Sequence, residues 1–215
     1  MTHSSSRATL AYYLNAKETV IASGFADEID HLDLLRTRDL TEEHLMAEAA
    51  WVVLCSGFRA SVVTAKFAAV SAAFFGWRSA SEIVARADEC VAKALLEFGN
   101  YRKIRALVGI AERVDRERIG DLQSLPASEM VKFCESLPYV GPVTAYHLTR
   151  NLGFDVAKPD RHLVRTAANL GFARVDDLCR AIAIRTGDRI AVVDAVLWRY
   201  AVLCQGGLIQ PANED

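Results

Sequence analysis

Two stretches of this chain carry residue types and spacings that can do chemistry: LPYVGPVTA (137–145) and KPDRHLVR (158–165). In the first, Pro138 must end any helix ahead of it, because the residue before a proline is pushed out of the α region. Gly141 is acceptable as a cap and Pro142 suits the first helical position. The spacing therefore predicts a tight helical hairpin over 128–152, with the amides of Gly141, Val143 and Thr144 at the start of its second helix. Such a helix start binds a phosphate through its N–H groups and dipole, although an ordinary corner between two helices has the same appearance. In the second stretch, Asp160 heads a helix predicted over 161–170, where a carboxylate is a normal N-cap. Glu48 is the other suspicious acid. It lies on a largely apolar helix face, and a buried carboxylate needs a partner or a task; it either contacts a ligand or pairs with an arginine.

The elements that must position these residues all read as helices. Thr41 followed by Glu42 and Glu43 is a capping hydroxyl with acids in the first turn. Leu45, Ala49, Val52 and Val53 then keep helical spacing to Cys55. Ser-Gly-Phe-Arg (56–59) breaks the run before a second apolar helix over about 60–75. Further helices are predicted over about 8–22, 31–39, 79–98 (one or two), 101–113, 126–136, 142–152, 175–186 and 190–204. No strand pattern and no repeat appears. Four of the five prolines fall between Pro126 and Pro159, so turn geometry is most tightly set around the hairpin.

Bulk properties narrow the classes. Apolar residues make up 52% of the 215, and Ala, Leu and Val dominate, which favours a helical globule. The net charge of −2 excludes a global basic field, so any nucleic acid would be met through a local patch. Five cysteines at least 25 residues apart offer no zinc or iron–sulfur spacing and read as reduced, mostly buried thiols. No signal-peptide core or charge-free apolar span is present, so a soluble, cytoplasmic protein with no membrane partner is expected.

LPYVGPVTA resembles the helix-hairpin-helix motif of DNA-repair proteins at almost every defining position. An aspartate nineteen residues after the hairpin glycine, at the head of the next helix, is similar to the signature of the helix-hairpin-helix/Gly-Pro-Asp DNA glycosylases. WVVLCSGFRASVVTAKFAAVSAAFFG (51–76) resembles the 8-oxoguanine glycosylase branch, and FGNYRKIRALVGIA (98–111) a stretch seen across the superfamily. Over half of the chain is covered. The resemblance implies one all-α domain over 1–215 of two helical lobes with a cleft between them. The N- and C-terminal helices would form one lobe and about 60–150 the other. It implies excision of a damaged or modified base from double-stranded DNA by a monomer, on the nucleoid, in repair or in defence against modified phage DNA.

Roles follow residue by residue from the same resemblance. Asp160 is implied as catalytic. A carboxylate about 4 Å from the oxocarbenium-like sugar contributes about 4 kcal/mol at an effective dielectric near 20, about a thousandfold in rate. It can also orient the attacking water. Gly141, Val143, Thr144, Tyr139, Arg161, His162 and Arg165 are implied at the DNA backbone. Phe58, with Arg59, is the wedge candidate, while Glu48, Trp51 and His147, and beside them His44 and Trp198, are candidates for the base pocket. Carbonyls of Glu135, Leu137 and Val140 are implied as ligands of a monovalent Na+ or K+, with no other cofactor, no cluster and no zinc.

The chain departs from the family in three places. Bifunctional members carry a Schiff-base lysine where Val143 stands, which points to a monofunctional enzyme. Lys158 and Lys103 are the nearest amines, each read first as solvated or phosphate-contacting. A bifunctional enzyme using Lys158, or a DNA-binding protein without catalysis, remains an alternative. Pro142 removes one amide donor from the helix start, and Tyr139 replaces the first glycine of the turn, where it would lie along the backbone or the pocket wall.

Overall fold

The computed structural model describes residues 3–205, with side chains over 7–204, and among these every regular element is helical. The helices are α1 (His3–Val20), α2 (Ala26–Leu34), α3 (Glu42–Cys55), α4 (Ala60–Ala73), α5 (Ala80–Ala85), α6 (Ala87–Glu97), α7 (Tyr101–Val114), α8 (Ile119–Gln123), α9 (Ala127–Glu135), α10 (Pro142–Asn151), α11 (Arg161–Asn169), α12 (Val175–Thr186) and α13 (Ile190–Gln205). The all-α expectation holds, and most boundaries fall within two residues of those read from caps and breakers. Two differ. The helix expected over 31–39 runs over Ala26–Leu34, because Asp27 and Glu28 start it and Leu35 turns extended (φ −62, ψ 132). The short α8 was not anticipated; its five residues carry no periodic signal.

The chain divides into two compact units. One comprises Met1–Leu35 and Asp155–Asp215. Its centre is α13, whose residues 191–197 are all buried and, apart from Asp194, apolar. Tyr13, Ala16 and Val20 of α1, Leu163 of α11 and Leu178 and Ile182 of α12 join the same core. Polar anchors set the registers. Asp188, ahead of α13, accepts from Tyr13 Oη (2.6 Å) and pairs with Lys17 Nζ (2.8 Å). The Arg189 guanidinium donates to the carbonyls of Leu32 and Leu35, closing the end of α2.

The second unit is Arg36–Phe154. It starts at 36, ahead of the boundary expected near 60, because α3 packs on α7 and α10. Helix α3 buries Leu45, Met46, Ala49, Ala50, Val52, Val53 and Leu54, and α7 answers with Ile104, Leu107, Val108, Ile110, Ala111 and Val114. Each of these helices opens on a side-chain cap: Thr41 Oγ1 accepts from the His44 amide, and Asn100 Oδ1 from the Lys103 amide. Gly153 closes α10 at φ +91. An added Cβ there would lie 2.6 Å from the Arg36 carbonyl carbon, so the two ends of this unit meet at a point where only glycine fits.

Candidate functional site

The hairpin lies in the second unit and is built as its prolines dictate. Helix α9 ends at Glu135, Ser136 to Val140 make the turn, and Gly141 caps α10 with Pro142 at its first position. No side chain caps α10, so the first-turn amides of Val143 and Thr144 have no acceptor within their own helix. Gly141 has φ −89 and open space around its α-carbon, so nothing blocks an approaching phosphate there. Val143 is 43% exposed. Tyr139, 47% exposed, occupies the turn at φ +67, in the left-handed region. Pro138 packs against α7, where its Cγ would lie 3.1 Å from a Cβ placed on Gly109.

Lys103 corrects one expectation: it is neither solvated nor free to meet a phosphate. It is buried, and its ammonium donates to the carbonyls of Val53, Leu54 (3.0 Å) and Ser56 (2.5 Å) at the end of α3. Burial lowers its pKa, opposed by the nearby Cys55 thiol. The lysine thus closes α3 and pins the α3–α4 turn to α7. That turn carries Phe58, 43% exposed and backed by the buried Phe98 with centroids 5.2 Å apart, and the exposed Arg59.

Glu48 has found a partner other than arginine. Its Oε2 accepts from Asn151 Nδ2 at 2.8 Å, tying α3 to the end of α10. Trp51 is half-buried and meets Phe67 edge-on at 5.3 Å; His44 and His147 are also half-buried. The Leu137 carbonyl accepts from the Val140 amide at 3.1 Å across the turn, and Glu135 is exposed.

Asp160 lies in the first unit and does two things at once. Its Oδ1 accepts from the amides of His162 (2.9 Å) and Leu163 (3.1 Å), so it is the N-cap of α11. Its Oδ2 is 3.4 Å from Lys158 Nζ, in a pair whose side chains are 16% (Lys158) and 12% (Asp160) exposed. Lys158 is held in turn by the buried Asp194, whose carboxylate accepts from the Lys158 amide at 2.8 Å. The Lys158 ammonium also stands 5.5 Å over the ring of Trp198, which carries the Arg199 guanidinium at 4.9 Å. Arg161 and Arg165 are exposed and can meet an anion. His162 is half-buried: its Nε2 accepts a hydrogen bond from Arg161 Nε at 3.3 Å, and its Nδ1 is buried. The Lys158 contact had no sequence signal beyond the i, i+2 spacing, and the roles of Asp194 and Asn151 had none.

Among the described residues no group of three or more His, Cys, Asp or Glu is arranged to hold a metal ion. No helix there is long and apolar enough to cross a membrane.

No protein-family model matches this sequence, and no curated protein matches it. The fold does have a relative of known structure, the 8-oxoguanine DNA glycosylase of Thermotoga maritima. The two share 16% identity, with a TM-score of 0.59 over 90% of this chain and 95% of the other. The all-helical fold expected from the helix pattern of the sequence is thus shared with a DNA glycosylase of known structure.

Proposed function

We propose that the protein is a DNA glycosylase that hydrolyses the N-glycosidic bond of a damaged or modified base and leaves an abasic site. The observation that carries this reading is the divided carboxylate of Asp160. One oxygen satisfies the helix start, and the other pairs with Lys158 Nζ at 3.4 Å, a second contact that a helix cap does not need. Flanked by the Lys158 ammonium, it stands ready to stabilise positive charge developing on a sugar and to direct a water towards the anomeric carbon. In that step the water oxygen bonds the anomeric carbon, the carbon–nitrogen bond breaks, and the base leaves with its bonding electrons and takes up a proton.

The reading extends to binding and mode. The uncapped amides of Val143 and Thr144 suit a backbone phosphate, and the exposed Arg161 and Arg165 suit another. The carbonyls of Glu135, Leu137 and Val140 suit a Na+ or K+ that would brace the turn, since a carbonyl accepting one N–H keeps a second lone pair. The mode is monofunctional. Val143 stands where a lyase amine would be needed, Lys103 is consumed by three carbonyls, and Lys158 is engaged by the Asp160 carboxylate at 3.4 Å. Oxidised purines are the first substrate class to test, by analogy with the structural relative; alkylated purines, deaminated pyrimidines and phage base modifications follow. The test is a screen of duplexes carrying each lesion, scored by alkali-dependent strand breaks. An absence of base release across that screen by a folded protein that binds DNA would refute catalysis and leave a binding protein.

A further inference from the structure

Lys103 and Lys158 spend their protons differently. The Lys103 ammonium commits its three N–H groups to the carbonyls of Val53, Leu54 and Ser56. The Lys158 side chain is only 16% exposed, yet among the described residues its ammonium donates to no carbonyl. Its contact with Asp160 Oδ2, at 3.4 Å, is longer than the about 2.7–2.9 Å of a charge-assisted hydrogen bond. Its other support is the face of Trp198, 5.5 Å away, which attracts the charge as a whole and is no oxygen acceptor. The residue is nonetheless held at both ends. Its amide donates to the buried Asp194 at 2.8 Å, and the Trp198 ring is flanked by Arg199, itself tied to Glu28 at 2.5 Å. A held ammonium with uncommitted N–H groups is a donor for an acceptor that the protein itself does not supply. Charge supplies the second observation. With Lys158 beside it, Asp160 belongs to a pair that is neutral as a unit, so its carboxylate is masked from a sugar developing positive charge.

We propose that Lys158 is a further catalytic residue, the acid that gives its proton to the departing base, and that it confines the site to uncharged bases with an acceptor atom. The proposal rests on the glycosylase reading above. As the carbon–nitrogen bond breaks, its electron pair goes to the base; one N–H bond of Lys158 breaks and that proton goes to a base nitrogen or oxygen. Lys158 becomes a neutral amine, and Asp160 is unmasked at the moment positive charge develops on the sugar. The water oxygen then bonds the anomeric carbon. The water's proton returns by way of Asp160 to the Lys158 amine, 3.4 Å away, so both groups end as they began. A base alkylated on a ring nitrogen is already cationic. It needs no proton to leave, and it meets like charge at Lys158. Oxidised bases, deaminated bases and uncharged phage modifications therefore suit this site, and cationic alkylpurines do not.

The experiment uses the whole protein and measures single-turnover base release from two duplexes. One carries the uncharged lesion that the wild type releases fastest in the screen above, and the other carries 7-methylguanine, whose base is cationic. The wild type is expected to favour the uncharged base. Lys158→Gln keeps a donor for Asp160 but has no proton to give. It should slow release of the uncharged base by about a hundredfold or more and speed release of 7-methylguanine. Lys158→Arg keeps the positive charge and so guards against a folding defect, and a guanidinium does not give up its proton in a protein. It should be slowed on the uncharged base as Gln is, with duplex affinity, read by anisotropy, holding in both variants. Equal loss on the two bases, or an Arg variant at the wild-type rate, refutes proton donation. A wild type that releases 7-methylguanine and no uncharged base refutes the proposal and leaves the glycosylase reading standing, whereas no release of any base overturns both.

Discussion

Asp160→Asn separates the two jobs of one side chain. The asparagine oxygen can keep both cap bonds, from the amides of His162 and Leu163 at 2.9 and 3.1 Å. What it loses is the charge on Oδ2, 3.4 Å from Lys158 Nζ, and it sets an amide donor against that ammonium instead. The pair is shielded from solvent but not dry, so its loss should cost about 1–3 kcal/mol of stability, between the values for surface and buried pairs. In a chain of this length that lowers the melting temperature by several degrees. The effect on chemistry should be far larger. A unit charge about 4 Å from the developing oxocarbenium is worth about 4 kcal/mol at an effective dielectric near 20, so base release should fall about a thousandfold. The assay is single-turnover base release under saturating enzyme, with affinity for the same duplex measured alongside and expected to hold. Asp160→Ala is the companion variant: it loses the charge and both cap bonds, and should melt about 1 kcal/mol lower again with little further loss of activity. Asn activity within about tenfold of wild type, with Ala inactive only where it unfolds, would show that Asp160 is a cap and nothing more.

Other substitutions probe the frame and the grip. Gly153→Ala forces a Cβ to within 2.8 Å of the Arg36 carbonyl oxygen from a left-handed backbone, and should cost about 2 kcal/mol or more by urea unfolding; an unchanged midpoint would disprove the close approach. Gly141→Asp meets no steric obstacle and should fold, yet it should weaken binding to every duplex by a similar factor and reduce the salt dependence. A loss confined to one lesion would contradict the backbone role. Borohydride should trap no covalent complex with the wild type, and strands should stay whole until alkali is added. Trapping in the wild type that disappears in Lys158→Ala would establish a lyase, while Val143→Lys, at an exposed position, is the substitution expected to introduce trapping.

Much of this molecule is written in its local sequence. Thr41 and Asn100 begin helices because a hydroxyl or amide oxygen accepts from an amide three residues on. Pro138, Gly141 and Pro142 shape the hairpin through backbone torsions that need no distant partner. Asp160 could be placed at the head of α11 for the same reason. These interactions span four residues or fewer, so spacing alone determines them. Tertiary structure decided the rest. That Lys103 is a buried clasp and not a phosphate contact depends on carbonyls about fifty residues earlier in the chain, and the partner of Glu48 lies 103 residues away. Gly153 reads as a helix stop in sequence, and its necessity comes from Arg36 pressed against it. Phe58 and Tyr139 each look like solitary turn residues until packing of α3, α7 and the hairpin sets them around one ammonium. Such contacts are chosen by which apolar faces bury one another, and side-chain spacing along the chain carries no record of that choice.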